Sequence, residues 1–113
     1  MPYDESLANR LRLALARRRG MVEKKMFGGI CFLLHANILV GVWRKWLIVR
    51  LGPKQGEAAL DEPFVKPMDL TGKPMAGWIM VDPGGLEGDD QLQDWVARSF
   101  KFVAKLPRKK PAS

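Results

Sequence analysis

Cysteine, histidine and tyrosine each occur once in these 113 residues, as Cys31, His35 and Tyr3. That scarcity removes whole classes of chemistry. A lone thiol cannot build the disulfide framework that staples small secreted domains, and it fits a reducing cytoplasm. With no histidine pair and no cysteine cluster, no spacing suits a metal ion, and no cofactor is expected. No serine stands in a nucleophile elbow. Cys31 as a nucleophile would need a base and an orienting third group; His35 lies in an adjoining turn without such a companion. Cys31 therefore reads as a small core residue, and the chain reads as no enzyme. Nor does it open with a positive–apolar–small leader, because Asp4, Glu5, Arg10 and Arg12 interrupt any apolar run.

What the chain does have is a central stretch without charge. Met26 to Trp43 carries no formal charge over 18 residues, a length at which a membrane-spanning helix must be considered. His35-Ala36-Asn37 breaks the run in its middle, Gly28-Gly29 interrupts its start, and Lys24-Lys25 and Arg44-Lys45 flank it. Two short apolar segments around a polar turn make a hairpin instead. With a second turn at Arg44-Lys45, the stretch from Lys24 to Leu51 reads as three consecutive antiparallel strands. Gly28-Gly29 reads as a bulge or bend where the chain enters the sheet.

Alternation in these strands is poor. Ile38, Val40 and Val42 point one way and Leu39, Gly41 and Trp43 the other, yet both sets are largely apolar. A sheet with one wet face alternates cleanly, so the second face requires cover from the chain's own helices or from another copy. Trp43, Trp46 and Trp78 are the candidate dimer face. They could stack bases, but burial in a core or an interface is the simpler reading.

Helices account for the ends. Asp4 caps a helix expected from Asp4 to Arg18, with Leu7, Leu11, Ala14 and Leu15 on one stripe and Gly20 beyond its end. Pro53 opens a short helix through Leu60. Asp61 to Pro67 reads as a loop, Met68-Asp69-Leu70 as a short edge strand and Ala76 to Asp82 as a further strand. The last helix spans Asp89 to Lys105, capped by Asp89 or Asp90; that accounts for the carboxylates at Glu87, Asp89, Asp90 and Asp94. The order α-β-β-β-α-β-β-α gives an α+β, two-layer fold, an antiparallel sheet packed by helices. One domain over residues 1–106 and a basic tail over 107–113 are expected.

The net charge of +7 is unevenly spread: +4 over residues 1–25, −3 over 26–97 and +6 over 98–113. Basic ends attract polyanions, so nucleic acid is a possible partner through Arg17, Arg18, Arg19, Lys101, Lys105, Arg108, Lys109 and Lys110. A second constellation, Lys24, Lys25, Arg50, Asp69, Thr71 and Lys73, falls at strand edges and the following turn. It reads as an Arg50–Asp69 pair tying the sheet to that turn, or as a site for a small anion or small molecule.

Three ordered segments carry a resemblance. Lys24-Lys25-Met26-Phe27-Gly28-Gly29, Val49-Arg50-Leu51-Gly52-Pro53 and Pro67-Met68-Asp69-Leu70-Thr71-Gly72-Lys73-Pro74-Met75 resemble the N-terminal domain of the TfoX/Sxy competence regulators. The resemblance covers nearly the whole chain and implies a secretion-chaperone-like α+β domain. It implies a bacterial, cytoplasmic module of transcription regulation that works through protein–protein contacts and serves competence, with a cyclic-AMP-responsive activator as the family's partner. It also implies a stand-alone member, since the C-terminal helical domain of the full-length regulators has no counterpart here. No catalytic residues come with it.

Overall fold

Asp4 starts the first helix, α1 (Glu5–Leu15), by accepting from the backbone N–H groups of Ser6 at 2.8 Å and Leu7 at 3.2 Å. The computed structural model describes residues 3–26, 28–69, 72 and 75–107. Leu7, Ala8, Leu11 and Leu15 form the buried stripe of α1, which ends before the arginine run. Gly20 follows with φ +80°, and the His35 ring packs so closely that a Cβ there would come within 2.5 Å of it.

Four strands come next: β1 (Met21–Met26), β2 (Gly29–Leu34), β3 (Asn37–Trp43) and β4 (Trp46–Arg50). After α2 (Pro53–Ala59) come β5 (Val65–Pro67), β6 (Trp78–Val81), a short 3-10 turn at Pro83–Gly85 and α3 (Asp89–Val103). The strands form one antiparallel sheet in the order β1-β2-β3-β4-β6-β5. The α+β, two-layer architecture expected from the sequence is thus the one observed.

Some details differ. Gly28-Gly29 is not a bulge or bend at the entry to the sheet; Met26 and Gly29 pair across a tight hairpin, so four consecutive strands stand where three were expected. The late edge strand is Val65–Pro67, not Met68–Leu70, because Val65, Lys66 and Pro67 pair with Val81, Met80 and Ile79. Helix α3 is preceded by Gly88 as its cap residue, whose N–H donates to the Gln91 side chain at 2.8 Å. Asp89 and Asp90 instead sit in the first turn, where they complement the helix dipole.

The core lies between the helices and one sheet face. Leu11 of α1 and Leu92, Val96 and Val103 of α3 meet Ile30, Phe32, Val40, Val42, Leu47, Val49, Ile79 and Val81. A bulge in β3 leaves Leu39 without a partner in β2, since Phe32 pairs with Val40 and Leu33 with Ile38. Buried Ser99 of α3 donates its hydroxyl to the Leu39 carbonyl at 2.8 Å, which satisfies both groups at that irregularity. The charge-free stretch is the β2–β3 hairpin with its flanking residues, and no described helix is long and apolar enough to cross a membrane.

Candidate interaction surface

The other sheet face is built differently. The strand register sets Lys24, Cys31, Gly41, Ile48, Met80 and Lys66 in one row across the sheet. The row is apolar in the middle and cationic at both edges. Ile48, Met80 and Met68 form a small buried cluster, against which Trp43, Trp46 and Trp78 pack half-buried. No helical residue belongs to that cluster among the described residues. The sheet is therefore covered on one face by α1 and α3, while among the described residues the tryptophans are the outer layer of the other. Beside Trp46, Phe64 is 53% exposed.

Each of these three rings carries a cation. Arg44 lies 4.6 Å from the Trp43 ring centre, Lys66 4.1 Å from Trp46, and Arg50 5.3 Å from Trp78. Such contacts contribute about 0.5–1 kcal/mol each where exposed. The ion pairs lie elsewhere: Arg10 with Asp89, Arg12 with Glu5 and Glu23, and Arg98 with Glu62 and Asp94. All three arginines belong to the helical layer. Among the described residues Lys24, Arg44, Lys45, Arg50 and Lys66 have no carboxylate in salt-bridge contact. Burial lowers the pKa of Arg50 from its ordinary value, with no anion opposing that effect.

The described members of the expected polar constellation do not come together. Lys24 and Lys25 project from opposite faces of the edge strand β1, and Arg50 stands three strands away. Asp69 is exposed and makes no ion pair with Arg50, which stacks on Trp78 and lies 5.8 Å from the Phe102 ring centre. An aromatic pair takes the place of the expected carboxylate. Thr71 and Lys73 lie outside the described residues.

The basic ends are described in part. Arg18 stacks on Phe100 of α3 at 4.0 Å, which brings the arginines after α1 beside the helix that carries exposed Lys101 and Lys105. Arg108, Lys109 and Lys110 lie outside the described residues. Between α2 and α3 a cleft of about 430 Å³ has Leu51, Ala59 and Phe102 among its lining and Lys101 and Lys105 beside them. Its lining offers neither a histidine nor a thiol.

Cys31 is buried, and its pKa is pushed up to about 11 by desolvation. His35 caps the next turn, roughly 13 Å along the strand, and does not activate it. At pH 8 the thiolate is depleted by roughly a hundredfold or more relative to an exposed cysteine. A disulfide reagent at that pH is expected to react slowly with the native protein and at once after denaturation; equal rates would contradict this burial. Because the folded pKa is the higher one, the unfolded chain loses the thiol proton first as pH rises. Cys31 thus subtracts stability between about pH 9.0 and about 11, a slope that Cys31→Ala should remove.

Sequence reasoning named the three tryptophans and Arg50, but missed Arg44, Lys66 and the stacking of all three cations on the rings. Arg44 next to Trp43 was a visible signal. The Arg50–Trp78 and Lys66–Trp46 contacts join different strands, and no spacing along the chain reveals them.

A family model described as the TfoX N-terminal domain matches residues 14–103. No curated protein and no solved structure matches the chain.

Proposed function

This chain belongs to the TfoX N-terminal domain family, and from that premise we propose that it is a non-enzymatic regulatory module acting through protein–protein contacts. The observation that carries the reading is the sheet face that no described helix covers, with Trp43, Trp46 and Trp78 around buried Ile48, Met68 and Met80. Half-exposed tryptophans over a packed apolar floor, with arginine beside them, have the composition of interaction hot spots. A role of the competence type, in which the module contacts a transcription activator, fits that surface.

Retention of partner proteins by the tagged chain from its own cells tests the reading. Trp46→Ala is expected to weaken retention by roughly thirtyfold, the effect of losing a hot-spot residue, while circular dichroism confirms the fold. Lys101→Ala, on the helical side, should leave retention intact. Loss with the Lys101 variant and none with the Trp46 variant would refute this choice of surface.

A second reading has one observation in its favour. The Arg18–Phe100 stack sets Arg18 against α3, the helix that carries Lys101, and these cations would contact nucleic-acid phosphates. Such binding must weaken log-linearly with salt. Affinity for duplex DNA or RNA that vanishes at modest salt would leave these cations as a solvated surface.

A further inference from the structure

Five cations surround the uncovered sheet face. Lys24 and Lys66 stand at its two edges, roughly 24 Å apart across six strands, at the ends of the row through Ile48 and Met80. Arg44 and Lys45 form the β3–β4 turn at one end of the central strands, and Arg50 closes the other. Carboxylates are scarce there. Asp69 is exposed, and Asp82, near Trp46 and Lys66, accepts from the Gly84 N–H at 2.8 Å. Asp4, whose own N–H donates to the Arg44 carbonyl, commits its carboxylate to the Ser6 and Leu7 N–H groups. The centre is apolar and the rim is positive.

We infer, resting on the reading of this face as the contacting surface, that its occupant is an acidic segment of a partner protein. Apolar side chains of that segment seat among Trp43, Trp46 and Trp78, and flanking Asp or Glu residues meet Arg44, Arg50 and Lys66. An arriving carboxylate breaks no internal ion pair, because these cations have none among the described residues. Arg50 is partly desolvated where it stacks on Trp78, and a charge-assisted hydrogen bond is stronger there than in open water. A second copy is a poor occupant: an isologous contact would set this cationic rim against itself. Single-stranded nucleic acid is also disfavoured. It stacks bases on open rings along a charged groove, whereas here the cations encircle an apolar centre and Arg44, Arg50 and Lys66 already occupy a face of each ring.

The test uses the full chain and fluorescence anisotropy at near-physiological salt. Three labelled probes are compared: an amphipathic peptide with Leu on one face and Glu on the other, its counterpart with Lys for every Glu, and an oligo-dT strand. The Glu peptide is expected to bind about tenfold or more tightly than the Lys peptide. Arg44→Glu combined with Lys66→Glu should abolish that preference, and Lys101→Glu with Lys105→Glu should leave it in place. Both surface residues are exposed; the milder Arg44→Gln with Lys66→Gln stands in should the reversal unfold the chain. Absence of binding by the Glu peptide, equal binding of both peptides, or tighter binding of oligo-dT overturns the inference. So does a wild-type dimer in sedimentation that Trp46→Ala dissociates. Failure here and failure of the wider reading are separable. Partner retention lost with Trp46→Ala but kept with the charge reversal sinks only the acidic occupant; retention kept in both sinks the surface itself.

Discussion

Gly29→Ala is expected to lower the unfolding free energy by about 3 kcal/mol, among the larger losses for one added methyl group. Gly29 begins β2 and pairs with Met26 across the hairpin. A Cβ at this position would collide with the carbonyl oxygen of Val42 on the neighbouring strand, and lie 3.4 Å from the Trp43 Cα. Both obstacles are backbone, so no rotamer change relieves them; β2 and β3 must separate where they are hydrogen-bonded. Gly28 is the internal control. It has φ +74° and open space around its missing side chain, so Gly28→Ala should cost only the left-handed conformation, about 1 kcal/mol. Urea denaturation of both variants checks the contrast. Equal losses would show that the two glycines serve the turn alone, and that close approach of the strands is not what Gly29 permits.

The same pair shows how far the sequence could be read. Two adjacent glycines in an apolar run mark an irregularity, but a bulge and a hairpin turn leave similar local signatures. The distinction depends on which residues pair, and Met26–Gly29 pairing is a property of the sheet. The amphipathic ends were legible because their signals are local: the Asp4 cap, the Leu7–Leu11–Leu15 stripe and the Leu92–Val96–Val103 face sit within single helices. Strand β5 was not, since its three residues include a proline and gain their strand character from β6. The candidate surface divides in the same way. Weak alternation in β3 already required cover for a second face, and the tryptophans were visible as its residues. Which cations accompany them was not, because Lys66 reaches Trp46 from the opposite side of β6. The expected Arg50–Asp69 pair failed for a related reason: opposite charges near one turn suggest a partner, yet cross-strand Trp78 lies nearer to hand.

Gly77→Ala is expected to cost about 3 kcal/mol as well, by a different combination of terms. Gly77 has φ +87°, and a Cβ there would lie 2.9 Å from the Gly52 carbonyl carbon and 3.1 Å from the Pro53 nitrogen. Its own carbonyl accepts from Leu51 N–H at 2.8 Å and Gly52 N–H at 3.2 Å. Gly56 of α2 completes the contact, since its Cβ would meet the Gly77 Cα at 2.9 Å. Three backbone segments therefore touch with nothing between them: the exit of β4, the first turns of α2 and the approach to β6. Alanine would impose a left-handed strain of about 1–2 kcal/mol and push these segments apart. Gly77→Asn separates the two contributions, because asparagine tolerates the left-handed region but still brings a Cβ. If conformation dominates, asparagine should recover most of the loss; if close approach dominates, it should be as damaging as alanine. Consequences reach the candidate surface either way. Gly77 immediately precedes Trp78, whose ring receives Arg50 from the end of β4. Loosening this junction should free the Trp78 side chain before the sheet itself melts. Tryptophan fluorescence is then expected to shift at a lower temperature than the far-ultraviolet circular dichroism in Gly77→Ala, while the two coincide in the parent. Coincident transitions in the variant would mean that the junction stabilises the whole domain and sets no local order at the tryptophan face.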